Sequence, residues 1–398
     1  MVESCRTLLR NSLAVAAFCL LAACAATGLQ RPSLDSSKLL SGPPALAGAT
    51  LPPVLSEKQI VGLDDDMRRF VTTQVGDASS TDERVRRLLF AMQGYGLFSL
   101  LYSSTVTNTA RATYHQAEGN CLSFTILFVA LAREAGLRVS YQIVDVPPIW
   151  SSTGASNVLI LNTHVNARVK TSAGYYIVDF NQPRTTERYP SHEITDKHAL
   201  ALFYSNLGAE ALIQKRFDAA FSEFRKSLMV YPNSPGAWAN LGVLYVRLGD
   251  YGYAESAYLQ ALNVNPSDHS ALANLTALYL KEGKHELAEQ YEKKVRYYEQ
   301  HNPYYHYALA QRAYRAHDLD GAIRALEKAI RLKSDEREFY ELQGRVYLDL
   351  GRPDDAADSF AEAKNLEQPG AHARRGARPP RGLSRAFRTG YPDRLTLP

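Results

Sequence analysis

The chain has 398 residues, 45% of them hydrophobic and 22% charged, with a formal net charge of +4. That is a globular composition, and the length implies two domains, each with its own core. The positive charge is local: residues 371–398 hold seven Arg against one Asp, so the chain before them sums to −2. The folded body therefore offers no basic field, and nucleic acid is excluded as a partner class.

The first 23 residues read as an export signal. Arg6 and Arg10 precede an apolar run from Leu13 to Ala23, too short to span a bilayer. The run closes in Leu21-Ala22-Ala23-Cys24, a lipobox, so the mature chain is expected to begin at Cys24 and to carry lipid there. Lipid on Cys24 would hold the protein to a membrane, and Ala25, with no Asp beside the cysteine, favours the periplasmic face of the outer membrane in a Gram-negative host. Residues 24–55 are rich in Ala, Ser, Gly, Leu and Pro without a helical or strand period and are expected to form a flexible tether. Beyond residue 23 no apolar run is long enough to cross a membrane.

Residues 56–198 mix helix and strand signals. Asp64, Asp65 and Asp66 are too contiguous for a calcium loop and read as a helix start. Leu88, Leu89, Met92 and Leu97 suggest a helix, and 121–135 form a helix apolar on nearly all sides. Strand-like runs follow at Val139–Val146, Val158–Val169 and Tyr175–Phe180. Helix first and strands later predict an α+β domain, with an apolar central helix covered by an antiparallel sheet.

Of the four cysteines, Cys5 and Cys19 fall in the removable segment and Cys24 takes the lipid, which leaves Cys121 as the free thiol of the mature body. A lone cysteine in an exported protein is either a buried, inert residue or a reactive one, and its neighbours favour the second. Asn120 is a good helix N-cap and Gly136 a good stop, so Cys121 falls in a first helical turn, where the peptide dipoles favour an anion such as a thiolate. His164 lies in a strand where Val165, Ala167 and Val169 alternate with polar residues, so it faces away from those apolar side chains. If the turn after this strand is symmetric about residues 172 and 173, position 164 opposes 181 and 166 opposes 179. Asp179 then shares a face with His164, one diagonal step of about 7–8 Å away. A turn one residue longer or shorter would separate them.

Gly-Asn-Cys-Leu-Ser at 119–123, Thr-His-Val at 163–165 and Val-Asp-Phe at 178–180 resemble, in order and spacing, the transglutaminase-like superfamily, relatives of papain-fold cysteine peptidases. The resemblance covers about residues 85 to 185. It implies Cys121 as nucleophile, His164 as general acid and base, Asp179 as the residue that orients His164, and a thioester on Cys121. One oxyanion donor would be the backbone N–H of Cys121, and the second is sought a few residues upstream, at His115 or Gln116. Trp150 is a candidate wall of a substrate cleft. The His residues lack metal-ligand spacing, no Cys-x-x-Cys accompanies them and no glycine-rich phosphate loop occurs, so neither metal nor other cofactor is expected.

From Ala201 an aromatic, Leu-Gly, Tyr, Ala, aromatic, Ala and Pro recur every 34 residues. The second copy is the clearest: Trp238, Leu241, Gly242, Tyr245, Gly249, Ala254, Tyr258, Ala261 and Pro266. About five copies fill residues 199–370, and they resemble the tetratricopeptide repeat. The resemblance implies stacked helical hairpins with a concave surface that receives a protein or peptide, and no chemistry of their own. Residues 371–398 are expected to be a disordered basic tail. The expected fold class is thus an α+β papain-like or transglutaminase-like domain followed by an all-α tetratricopeptide-repeat solenoid. The expected function is an exported, lipid-anchored thiol enzyme that cleaves or transfers an amide bond of a protein or peptide, with the repeats holding substrate or partner. Transglutaminase cross-linking and a non-catalytic, protein-binding adaptor are the alternatives.

Overall fold

The computed structural model describes residues 34–46, 49–94, 101–103, 105–144, 164–172, 174–180 and 191–366. The expected signal, Cys24, Trp150 and the Arg-rich tail lie outside them. Among the described residues no helix is long and apolar enough to cross a membrane. Contacts divide the chain into two compact units. One joins residues 34–56 to 195–302, and the other holds the described parts of 57–147 and 163–194 together with 303–366.

The segment before residue 56 corrects the expectation of a featureless tether. It carries a short helix, α1 (Ser36–Ser41), whose N-cap Asp35 accepts a hydrogen bond from the Lys38 N–H, and a 3-10 turn at Pro44–Leu46. Six residues form a helix here because one side of it, Leu39, is fully buried; a turn this short would not persist alone in water.

Helices α2 (Glu57–Val61), α3 (Asp65–Val75) and α4 (Thr81–Gly94) come next. Asp64 caps α3 by accepting from the Met67 N–H, which is the helix start that the three aspartates suggest. After β1 (Leu101–Tyr102), α5 (Ala110–Gln116) and β2 (Glu118–Gly119) comes α6 (Cys121–Glu134), in which eleven of fourteen residues are buried. Gly136 ends it with φ 72°, a conformation that glycine adopts without Cβ strain, while the Leu137 N–H reaches back to the Ala132 carbonyl.

A four-stranded antiparallel sheet is built from β3 (Arg138–Val144), β4 (His164–Thr171), β5 (Gly174–Val178) and β6 (Ser191–Ile194), in the order β5-β4-β3-β6. Helix α6 packs against β3 and β4, and the buried Val165, Ala167 and Val169 share one face of β4. Thr171 pairs with Gly174 and Ala167 with Val178, which is the register expected from a turn centred on residues 172 and 173.

The repeat region consists of five hairpins: α7 (Asp196–Ile213) with α8 (Phe217–Val230), α9 (Pro235–Leu248) with α10 (Tyr251–Val264), α11 (His269–Lys281) with α12 (His285–His301), α13 (Pro303–Arg315) with α14 (Leu319–Leu332), and α15 (Arg337–Asp349) with α16 (Pro353–Asn365). Their 34-residue period is also a backbone period. Residues 215, 249, 283, 317 and 351 end the first helix of each hairpin in the left-handed region, with φ 61°, 83°, 70°, 58° and 72°. Glycine fills three of these positions, and Lys215 and His317 fill the others. A second recurrence is the close approach of the paired helices: a Cβ on Gly208, Gly242 or Gly344 would lie 2.5–2.6 Å from the ring of Phe224, Tyr258 or Phe360. The first three hairpins share a core around Trp238, Leu241, Leu244, Tyr258 and Tyr279, and the last two have another around Ala310, Leu326, Phe339 and Val346.

The described residues of 34–55 lie on the first two hairpins. Leu39 and Leu46 belong to the same buried core as Phe221, Tyr245 and Tyr258, and α1 lies against α10.

Candidate functional site

The first turn of α6 is set by the residues just before it. Asn120 Oδ1 accepts from both the backbone N–H and the hydroxyl of Ser123, each at 3.0 Å, and Asn120 Nδ2 donates to Thr107 Oγ1 at 2.8 Å. A Cβ at Gly119 would lie 2.6 Å from Ser123 Cβ, so glycine is needed for this close approach. Gly119, Asn120 and Ser123 thus form one interlocked cap that places Cys121 at the first helical position. Cys121 is a free thiol, 8% exposed.

Strand β4 brings His164 to this helix start. The Thr125 hydroxyl lies 2.7 Å from the Cys121 carbonyl and 3.1 Å from the Val165 carbonyl, tying the first turn of α6 to the strand beside the imidazole. His164 Nε2 lies 2.7 Å from Asp179 Oδ2, and both side chains are nearly closed to solvent, at 7% and 5% exposure. The Cys121 side chain is a second hydrogen-bond partner of the imidazole. Burial works against a charge on His164. The hydrogen bonds and charges of Asp179 and Cys121 outweigh it and raise the imidazole pKa from 6.5 to about 9. An imidazole so held is protonated at neutral pH.

The three residues singled out from the sequence therefore meet at one place. Asp179 follows β5 directly, and the diagonal relation to His164 exists because the β4–β5 turn has the symmetric length. Two contributors were not foreseen. Asn166 Nδ2 donates to Asp179 Oδ2 at 3.1 Å and holds the carboxylate against the imidazole, and Thr125 fixes the helix to the strand. Asn166 was legible as a polar residue two positions from His164 on the same strand face, opposite 179. The amide oxygens of Asn166 and of Gln142, its register partner on β3, are buried without a hydrogen-bond partner among the described residues.

The two upstream oxyanion candidates each make a contact of their own. His115, at an exposed position on α5, binds Asp64 Oδ2 through Nε2 at 2.7 Å, and its ring stacks edge-on against Tyr114. Gln116 accepts from Asn108 Nδ2 at 3.3 Å. His115 is therefore a partner of the α3 cap. Asp64, Asp66 and His115 bring potential ligand atoms within 4.8 Å of one another, yet Arg111 and Arg69 already pair with the two carboxylates. A shallow depression lined by Arg138, Ser140, Arg168, Lys170 and Tyr175 sits at the other end of β3 and β4, away from the thiol.

The comparisons with known proteins bear on the repeats. Models of the tetratricopeptide repeat match residues 211–278 and 307–372. No curated protein matches the chain. Among solved structures, "MamA 41-end from Desulfovibrio magneticus RS-1" is 22% identical over 44% of this chain and 96% of its own, with a TM-score of 0.25. "YrrB: a TPR protein with an unusual peptide-binding site" is 16% identical over 42% of this chain and 86% of its own, with a TM-score of 0.24. Scores this low add nothing to the match of the repeat models. With the 34-residue recurrence of left-handed helix ends and of glycine–aromatic contacts, the matches establish that the C-terminal half of this chain is built of tetratricopeptide repeats.

Proposed function

We propose that the chain is a protein- or peptide-binding scaffold that acts through its repeats. The observation that carries this reading is the repeat array itself, a fold that stacks helices into an extended surface and brings no catalytic groups of its own.

A second reading rests on the hydrogen-bonded set Cys121, His164 and Asp179 at a helix start: a thiol enzyme of the papain-like or transglutaminase-like kind, for which the repeats hold a polypeptide substrate. In this scheme the Cys121 thiolate attacks an amide carbonyl carbon, forming a C–S bond. The C–N bond breaks as the His164 imidazolium gives its proton to the leaving amine. Water then attacks the thioester, giving a proton to His164, and releases the carboxylic acid and the thiolate. A primary amine in place of water would give transamidation. The backbone N–H of Cys121 is the nearest natural oxyanion donor. Membrane attachment through lipid on Cys24 belongs to both readings.

One comparison in cells separates them at matched protein levels: Cys121→Ser against deletion of residues 199–365. A silent Cys121→Ser variant beside a deletion with full loss of function leaves the adaptor. Equal loss in both, with rapid alkylation of Cys121 that slows in His164→Ala, leaves the enzyme.

A further inference from the structure

The segment that was expected to be a tether engages the repeats in the manner of a peptide ligand. It runs against the stacking order of the helices. The Leu34 N–H donates to Ser256 Oγ on α10 at 3.3 Å, and the Leu39 carbonyl accepts from the Tyr245 hydroxyl on α9. The Pro52 carbonyl accepts from Ser222 Oγ on α8 at 2.7 Å, and the Leu55 carbonyl accepts from the Tyr204 hydroxyl on α7, also at 2.7 Å. Four successive repeat helices thus address the main chain of the segment through side-chain hydroxyls, while its leucines enter apolar sites. Leu39 is fully buried, Leu46 is 8% exposed, and Leu34, Leu40 and Leu51 pack on the same core. Gly42 crosses Phe221 with φ 88°, and a Cβ there would lie 3.0 Å from the ring. Main-chain hydrogen bonds with side-chain pockets at intervals are a means by which a surface reads a peptide.

We infer that α7–α10 form a peptide-recognition surface whose resident occupant is residues 34–55 of the same chain, and that an outside partner must displace it. The chemistry of the occupant defines the partner: a segment with leucines at comparable intervals and few charges, interrupted by proline. Covalent attachment sets the local concentration of the occupant in the millimolar range, so a segment whose own intrinsic affinity is micromolar weakens any outside peptide by about a hundred- to a thousandfold. The inference deepens the scaffold reading and rests on it, since it supposes that the repeats recognise peptide.

The test uses the full chain. Leu39→Asp places a charge in a fully buried site, and Gly42→Val adds a branched side chain against Phe221 at a positive φ; both changes lie in the segment and leave the repeat helices untouched. Hydrogen exchange of residues 34–55 and anisotropy of a fluorescent peptide of sequence 33–56 are measured on wild type and both variants. The expected result is protection of the segment in wild type, its loss in at least one variant, and binding of the peptide to that variant at least tenfold tighter than to wild type. Three results would overturn the inference: an unprotected segment in wild type, protection kept in both variants, or a released segment with no gain in peptide binding. A partner that binds the repeats while the wild-type segment stays protected would also overturn it, yet would leave the scaffold reading standing.

Discussion

Replacing Asp179 by Asn tests whether the buried contact with His164 is an ion pair. Two opposing effects act on the imidazole. Burial favours its neutral form, while Asp179 and Cys121 favour the cation strongly enough to hold the pKa near 9 instead of 6.5. At about 1.4 kcal/mol per pH unit, that difference stabilises the folded state by about 3 kcal/mol as an order of magnitude. The sign follows from the direction of the shift. Because the folded pKa lies above the unfolded one, the contribution is fully present below pH 6.5 and is lost as the pH rises through about 9. Asp179→Asn keeps the shape and removes the charge, so the His164 midpoint should fall by about 1–3 pH units. The variant should also lose most stability near neutrality, with a deficit that shrinks above about pH 9. NMR titration of labelled His164 with thermal unfolding at low and high pH measures both. A His164 midpoint near 6.5 in wild type, or a stability deficit independent of pH, would refute the ion-pair account.

Other outcomes follow from the repeats and the N-terminus. Gly242→Ala should cost about 1–3 kcal/mol, because the new Cβ meets the Tyr258 ring at 2.5 Å; Gly252→Ala, with nothing within 4 Å, should be neutral or slightly stabilising in thermal unfolding. Lys215→Gly and His317→Gly should each stabilise by about 1 kcal/mol, since both residues hold a left-handed backbone that Gly249, Gly283 and Gly351 adopt in the other hairpins; a loss of melting temperature in both would refute this. Cys24→Ala should leave the exported protein in the soluble fraction, and continued sedimentation with membranes would count against lipid attachment at Cys24.

The repeats were legible in the sequence because their determinants are local. A hairpin needs a small residue where two helices touch, an aromatic beside it and a left-handed end to the first helix, and these recur at fixed offsets along the chain, as Gly242, Tyr258 and Gly249 do. The start of α6 was legible for the same reason, since Asn120 caps within three residues of Ser123. The relation of His164 to Asp179 was legible only as a conditional, because one residue more or less in the β4–β5 turn would have put them on opposite faces. Tertiary structure decided the rest. His115 turned to Asp64 because α3 and α5 bring a carboxylate to it from 51 residues away, and Asn166 gained its role from a carboxylate across the strand pair. Residues 34–55 show the limit most plainly. Their leucines have no period, and beyond the Asp35 cap little that is local marks them as structured; they are held by pockets and hydroxyls supplied from residues 204–256, contacts that no window of sequence contains.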